Sequence, residues 1–158
     1  MGISMKVTAV AAAAAAAVLA GAPAAGAAPA TVAAPSGFDV SVHHASGTLV
    51  GRVQGNLSWS TSGRTVIFTN QQLYVRDGEC VRGAYAGYQS NTRVTGIPGF
   101  ETCRPGSTPL PDLTLPTDVP GGIQHVIIDL TDVTHDPNGG ARASDDCWKS
   151  ESVCRSRP

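Results

Sequence analysis

The residues best suited to chemistry gather late in the chain, where His125, Asp129, Asp132, His135, Asp136 and Asn138 fall close together. Imidazole beside carboxylate is the pairing used for general acid–base work and for holding metals. If the stretch is a strand, His125 and Asp129 share one face and Asp132 lies on the other. A hydrolase built here would therefore draw its base and orienting carboxylate from His125, Asp129 and His135. Asp129, Asp132, Asp136 and Asn138, just before Gly139-Gly140, also supply oxygen ligands of the kind that extracellular calcium loops use. Their spacing departs from the EF-hand pattern, in which ligands alternate around a glycine at the sixth position. A solvated turn is the plainer reading. Adjacent His43 and His44 point to opposite faces of a strand, which reads as a strand end in water rather than a chelate.

Nucleophile signals are thin. The chain has no Gly-x-Ser-x-Gly elbow, and its cysteines read as bonded. No catalytic residue is assigned, and no cofactor is implied. Cys103-Arg104-Pro105 sits in the kind of loop a protease inhibitor presents, but a proline directly after the arginine resists cleavage. The remaining class is binding. Aromatic side chains with an apolar body and a polar tip suit sugar rings. Trp59 shares strand parity with Leu57 and belongs in a core. Tyr85 and Tyr88, beside glycines, and Trp148, inside a short cysteine interval, are the expected exposed ligand-binding residues.

Lys6 precedes an apolar run from Val7 to Ala20, followed by Ala-x-Ala cleavage options, so residues 1–27 read as a signal peptide. The run is shorter than the roughly 20 residues that span a bilayer. Ala22 stands where a lipid-bearing cysteine would be needed, so no lipid anchor follows. Cleavage leaves about 130 residues, enough for one domain that hides about two thirds of its unfolded surface. A formal charge of −1, with Lys+Arg 11 against Asp+Glu 12, gives no footprint for nucleic acid or for an anionic membrane. All four cysteines lie in the exported part. Proximity pairs Cys80 with Cys103 and Cys147 with Cys154, closing loops worth roughly 3.5 and 2.5 kcal/mol of unfolded-chain entropy.

The elements that must position these groups are strands. Residues 28–37 form a leader without periodicity, and a single domain spans 38–158. Phe38, Val40 and Val42 alternate with polar residues, as a half-buried strand requires. Thr48 to Ser60 continues as a bent strand in which Gly51 and Gly55 mark a bulge or a close approach. Ser60-Thr61-Ser62-Gly63 turns it into a third strand at Val66 to Phe68. Leu73 to Arg76 and Glu79 to Val81 are expected to pair as a hairpin across Asp77-Gly78. Tyr85 to Gln89 extends that strand, and a weaker one runs from Thr92 to Ile97. Residues 104–122, with five prolines, form a long surface loop. Ile123 to Thr134 is apolar enough for a central strand. The only helical option is a turn near Ser144 to Lys149, with Asp145-Asp146 as cap or surface charge. Short strands with turns about every ten residues imply an all-β antiparallel sandwich, or else an open barrel.

Leu73-Tyr74-Val75-Arg76-Asp77-Gly78-Glu79-Cys80, then Tyr85, a second cysteine at 103 and a late β segment before a closing cysteine pair resemble a group of small exported actinobacterial proteins. The resemblance implies export and fold, and carries over no functional residue. The expectation is a secreted, extracellular, non-enzymatic module that binds cell-wall or extracellular polysaccharide or protein, with the late-strand hydrolase as alternative. The sequence does not set an oligomeric state.

Overall fold

The computed structural model describes residues 36–135 and 140–157. Residues 1–35, which hold the expected signal peptide and most of the expected leader, lie outside them, as do Asp136 and Asn138. The described residues form two antiparallel sheets, not closed into a barrel, with no helix. The first sheet holds β1 (Ser36–His43), β2 (Leu49–Trp59) and β3 (Thr65–Val75), with β6 (Gly106–Pro109) and β7 (Leu113–Pro116) both on the free edge of β3. The second runs in the order β10 (Arg155–Arg157), β9 (Arg142–Trp148), β8 (His125–Asp132), β4 (Val81–Gln89) and β5 (Thr92–Thr102).

The alternation read in the sequence decides what is buried. Phe38, Val40 and Val42 of β1, Val53, Leu57 and Trp59 of β2, and Val66, Phe68, Leu73 and Val75 of β3 face inward against Val81, Tyr85, Val126, Ile128 and Leu130. Phe68 bridges the layers: its ring lies 6.0 Å from Phe38, edge-on, and 4.8 Å from Tyr85 of the opposite sheet. The β2 glycines mark close approaches. A Cβ on Gly51 would sit 2.7 Å from Val81 Cγ1, and one on Gly55 would sit 2.8 Å from Phe38 Cζ. The register of β2 against β3 shifts at Gly55, which is where the strand bends.

Four expectations are corrected. The Asp77-Gly78 turn forms, with Gly78 at φ 78° and the Glu79 N–H donating to the Arg76 carbonyl at 3.1 Å, but its flanks do not pair. Here β3 belongs to the first sheet and β4 to the second, so the turn is a corner between layers. Turn chemistry sets the local reversal, while longer partners elsewhere decide the pairing: β2 for β3, and β5 with β8 for β4. The proline-rich stretch is not all loop. Its β6 and β7 are edge strands, where a missing N–H costs no ladder bond, and Leu115 fills the core. Residues 144–148 are strand rather than helix, and the leader ends earlier than expected because Ser36 and Gly37 already belong to β1.

The disulfides are Cys80–Cys103 and Cys147–Cys154, as proximity indicated. The first closes the open end of the β4–β5 hairpin. Edge strand β1 is tied to the other layer by side chains: the Asp39 N–H donates to buried Asp145 at 3.0 Å, and the Ser36 hydroxyl to the Glu151 carbonyl at 2.9 Å.

Candidate functional site

The register of the second sheet places Tyr88 opposite His125 and His125 opposite Trp148. These three residues form a cross-strand row on the outer face, because β8 turns Val126, Ile128 and Leu130 inward and His125, Ile127 and Asp129 outward. The row is packed. His125 and Trp148 stack almost parallel, 4.2 Å apart and 6° from coplanar, and Tyr88 lies 5.1 Å from the other side of the histidine.

His125 is pinned in place. Its Nδ1 lies 2.7 Å from Asp146 Oδ1, and its Nε2 lies 2.8 Å from the Ser90 carbonyl oxygen. With both nitrogens engaged, neither is free to take a proton from a substrate. The imidazole instead serves as a rigid backing for the half-buried Trp148 ring. The Cys147–Cys154 bridge fixes the backbone one residue away. The ring adjoins a shallow recess lined by Gln124, Lys149 and Ser150.

Along the same face, a polar depression of about 370 Å³ opens between Tyr88, Ile127, Asp129, Arg142, Ser144 and Arg157. Asp129 is the hub of its charges. Arg142 Nε donates to Asp129 Oδ1 at 3.2 Å, Arg142 Nη2 donates to Oδ2, and the Ser144 hydroxyl also donates to Oδ1. The result is an aromatic ledge beside planar, bidentate polar groups.

The expected site residues separate. Tyr88 and Trp148 come together, but Tyr85 does not join them. It is 2% exposed, and its hydroxyl donates to the side chain of Gln71 at 2.7 Å inside the core. Parity explains this, since Tyr85 lies three residues from Tyr88 on one strand and so on the opposite face. Asp129 and Asp132 also part company. Asp129 faces outward, whereas Asp132 is buried at the far end of β8. Its Oδ1 accepts from the Thr134 N–H at 2.9 Å, and its Oδ2 faces His44 and His135. The other two oxygen ligands expected beside it, Asp136 and Asn138, lie outside the described residues.

Sequence reasoning missed the two acids next to Cys147. Asp145, expected as cap or surface charge, is a buried acceptor for β1 and for the Ser156 hydroxyl, and Asp146 holds His125. The alternation of Ala143, Asp145 and Cys147 was a signal for a strand with one inward acid. No family model matches the chain, and neither a curated protein nor a solved structure matches it.

Proposed function

We propose that this chain is an exported, disulfide-stapled binding module that holds polysaccharide at the cell envelope or in the extracellular space through the Tyr88–Trp148 face. The observation that carries the reading is the locked Trp148. A half-buried tryptophan stacked on a pinned histidine, beside an open recess, offers a large contact surface with little entropy left to lose on binding. The Asp129–Arg142 pair and Ser144 add donors and acceptors that hydroxyl-rich ligands use. Export is supported by the basic-then-apolar leader and by four cysteines all in disulfides. Among the described residues no helix is long and apolar enough to cross a membrane. The late-strand hydrolase gains no support, because His125 has no free nitrogen and Asp129 is held by Arg142 and Ser144.

The test is retention of the purified mature protein on insoluble polysaccharides and isolated cell walls. Saturable retention should fall at least tenfold in Trp148→Ala and several-fold in Tyr88→Ala, with both variants folded by circular dichroism. Retention that survives Trp148→Ala, or none on any matrix, overturns the assignment.

A further inference from the structure

At the opposite end of β8 four side chains from separate parts of the chain converge. His44 follows β1, Glu79 sits in the corner between β3 and β4, Asp132 ends β8, and His135 lies in the segment after it. One ligand atom from each lies within 4.8 Å of every other. Glu79 Oε1 lies 2.9 Å from His44 Nε2, and Asp132 Oδ2 lies 3.6 and 3.4 Å from the Nδ1 atoms of His44 and His135.

Two carboxylates this close, 8% and 2% exposed, are costly to bury together unless positive charge offsets them. Their oxygens are also unevenly satisfied. Asp132 spends Oδ1 on the Thr134 N–H and aims Oδ2 at both histidines, the arrangement of a carboxylate ligand oriented by an outer partner. Glu79 Oε2 is buried with no hydrogen-bond partner, 3.6 Å from His135 Nδ1. Imidazolium–carboxylate pairing alone leaves that oxygen orphaned, whereas an ion among the four groups supplies its missing partner.

We propose that His44, Glu79, Asp132 and His135 form a site for a divalent transition metal of the zinc type. Zinc bonds of about 2.0–2.1 Å in a tetrahedron put neighbouring ligand atoms about 3.3 Å apart, close to the 3.4 and 3.6 Å spacings already present. Two nitrogens and two oxygens suit zinc, whereas calcium takes oxygen alone. Four protein ligands close the coordination shell, so the ion is a cross-link and not a hydrolytic centre. It joins the β1–β2 hairpin of the first sheet to β8 of the second, beside the Cys80–Cys103 bridge.

The oxidised full-length mature chain, stripped with chelator, is titrated with zinc chloride and with cobalt(II) chloride at neutral pH. The expected result is one ion per chain, a tetrahedral cobalt absorption spectrum and a higher thermal midpoint with zinc. His135→Ala and Glu79→Gln should weaken uptake at least tenfold, while exposed His43→Ala should leave it unchanged. If Glu79→Gln fails to fold, His135→Ala decides, because that side chain is 62% exposed and carries little packing. The proposal is overturned if the wild type takes up no stoichiometric zinc, if His135→Ala binds as tightly, or if calcium is preferred.

Discussion

Tyr85→Phe isolates one buried hydroxyl. The Tyr85 O–H donates to Gln71 Oε1 at 2.7 Å, Gln71 Nε2 donates to the Pro111 carbonyl at 2.8 Å, and the Leu110 N–H donates to the Gln71 carbonyl at 3.0 Å. This chain of bonds ties β4 of one sheet to β3 of the other and to the connection between β6 and β7. Both Tyr85 and Gln71 are 2% exposed, so water cannot replace the lost donor. Burial also pushes the phenol well above its ordinary value, which keeps the hydroxyl a donor through neutral pH. Phenylalanine preserves the ring and opens no cavity; what remains is an unpaired Gln71 oxygen, at a cost of about 1–3 kcal/mol. With a urea slope of about 1.5–2 kcal/mol/M, the unfolding midpoint should fall by about 1 M. The assay is equilibrium unfolding followed by tryptophan fluorescence with the disulfides intact. In a Gln71→Met background the same substitution should cost much less, because its acceptor is gone. An unchanged midpoint, or full additivity of the two substitutions, would refute the bond. Loss of polysaccharide retention in folded Tyr85→Phe would show that the ring is not confined to the core.

Two further outcomes follow from the packing and the charges. Gly55→Ala places a Cβ 2.8 Å from the Phe38 ring and 3.1 Å from the Thr69 carbonyl, and because the carbonyl is backbone and cannot swing aside, stability should drop by about 1–3 kcal/mol in thermal unfolding; no loss would mean that the strands do not approach so closely. The hydrogen bond to His44 holds the Glu79 carboxyl below its usual value, and at Asp132 burial pushes upward but bonds from Thr134 and His135 outweigh it. Both acids therefore bind fewer protons folded than unfolded, so their stabilisation is present above about pH 4 and is lost as pH falls through the lowered values. The thermal midpoint of the metal-free chain should fall more steeply below pH 4 than that of Glu79→Gln, and identical acid profiles would contradict the assigned shifts.

Local pattern was enough where the physics is local. Alternation at Phe38-Val40-Val42 and the apolar run around Val126-Ile128-Leu130 located an edge strand and a central one, and closeness in sequence gave the cystine pairs. It failed where pairing is a contest between distant partners. Asp77-Gly78 has the right residues for a hairpin turn, yet the turn passes between layers because β3 and β4 each find longer partners elsewhere. The site shows the same division. Tyr88 and Trp148 were recognisable as candidates, but their meeting across His125 depends on the register of three strands, which no local spacing encodes. The cluster around Asp132 was hidden for the same reason, since His44 comes from the end of β1 in the first sheet and Glu79 from the corner between the two sheets.

The placement of the disulfides bears on which parts of the molecule must be rigid. A bridge across a separation of only seven residues removes little entropy from the unfolded chain, about 2.5 kcal/mol, so Cys147–Cys154 is a weak global staple. Its position gives it a local use. It fixes the backbone beside Trp148 at the end of β9, while Asp146 one residue back and Ser90 hold the histidine on which the indole rests. At the other end of β8, roughly 24 Å away at about 3.4 Å per residue, Cys80–Cys103 lies directly after Glu79 and steadies the metal-ligating corner in the same way. Each cross-link sits where the polar or aromatic groups emerge from the core and where packing alone would leave them mobile. A sandwich that needed cystine only for overall stability would gain more from joining distant strands, and neither bridge does so.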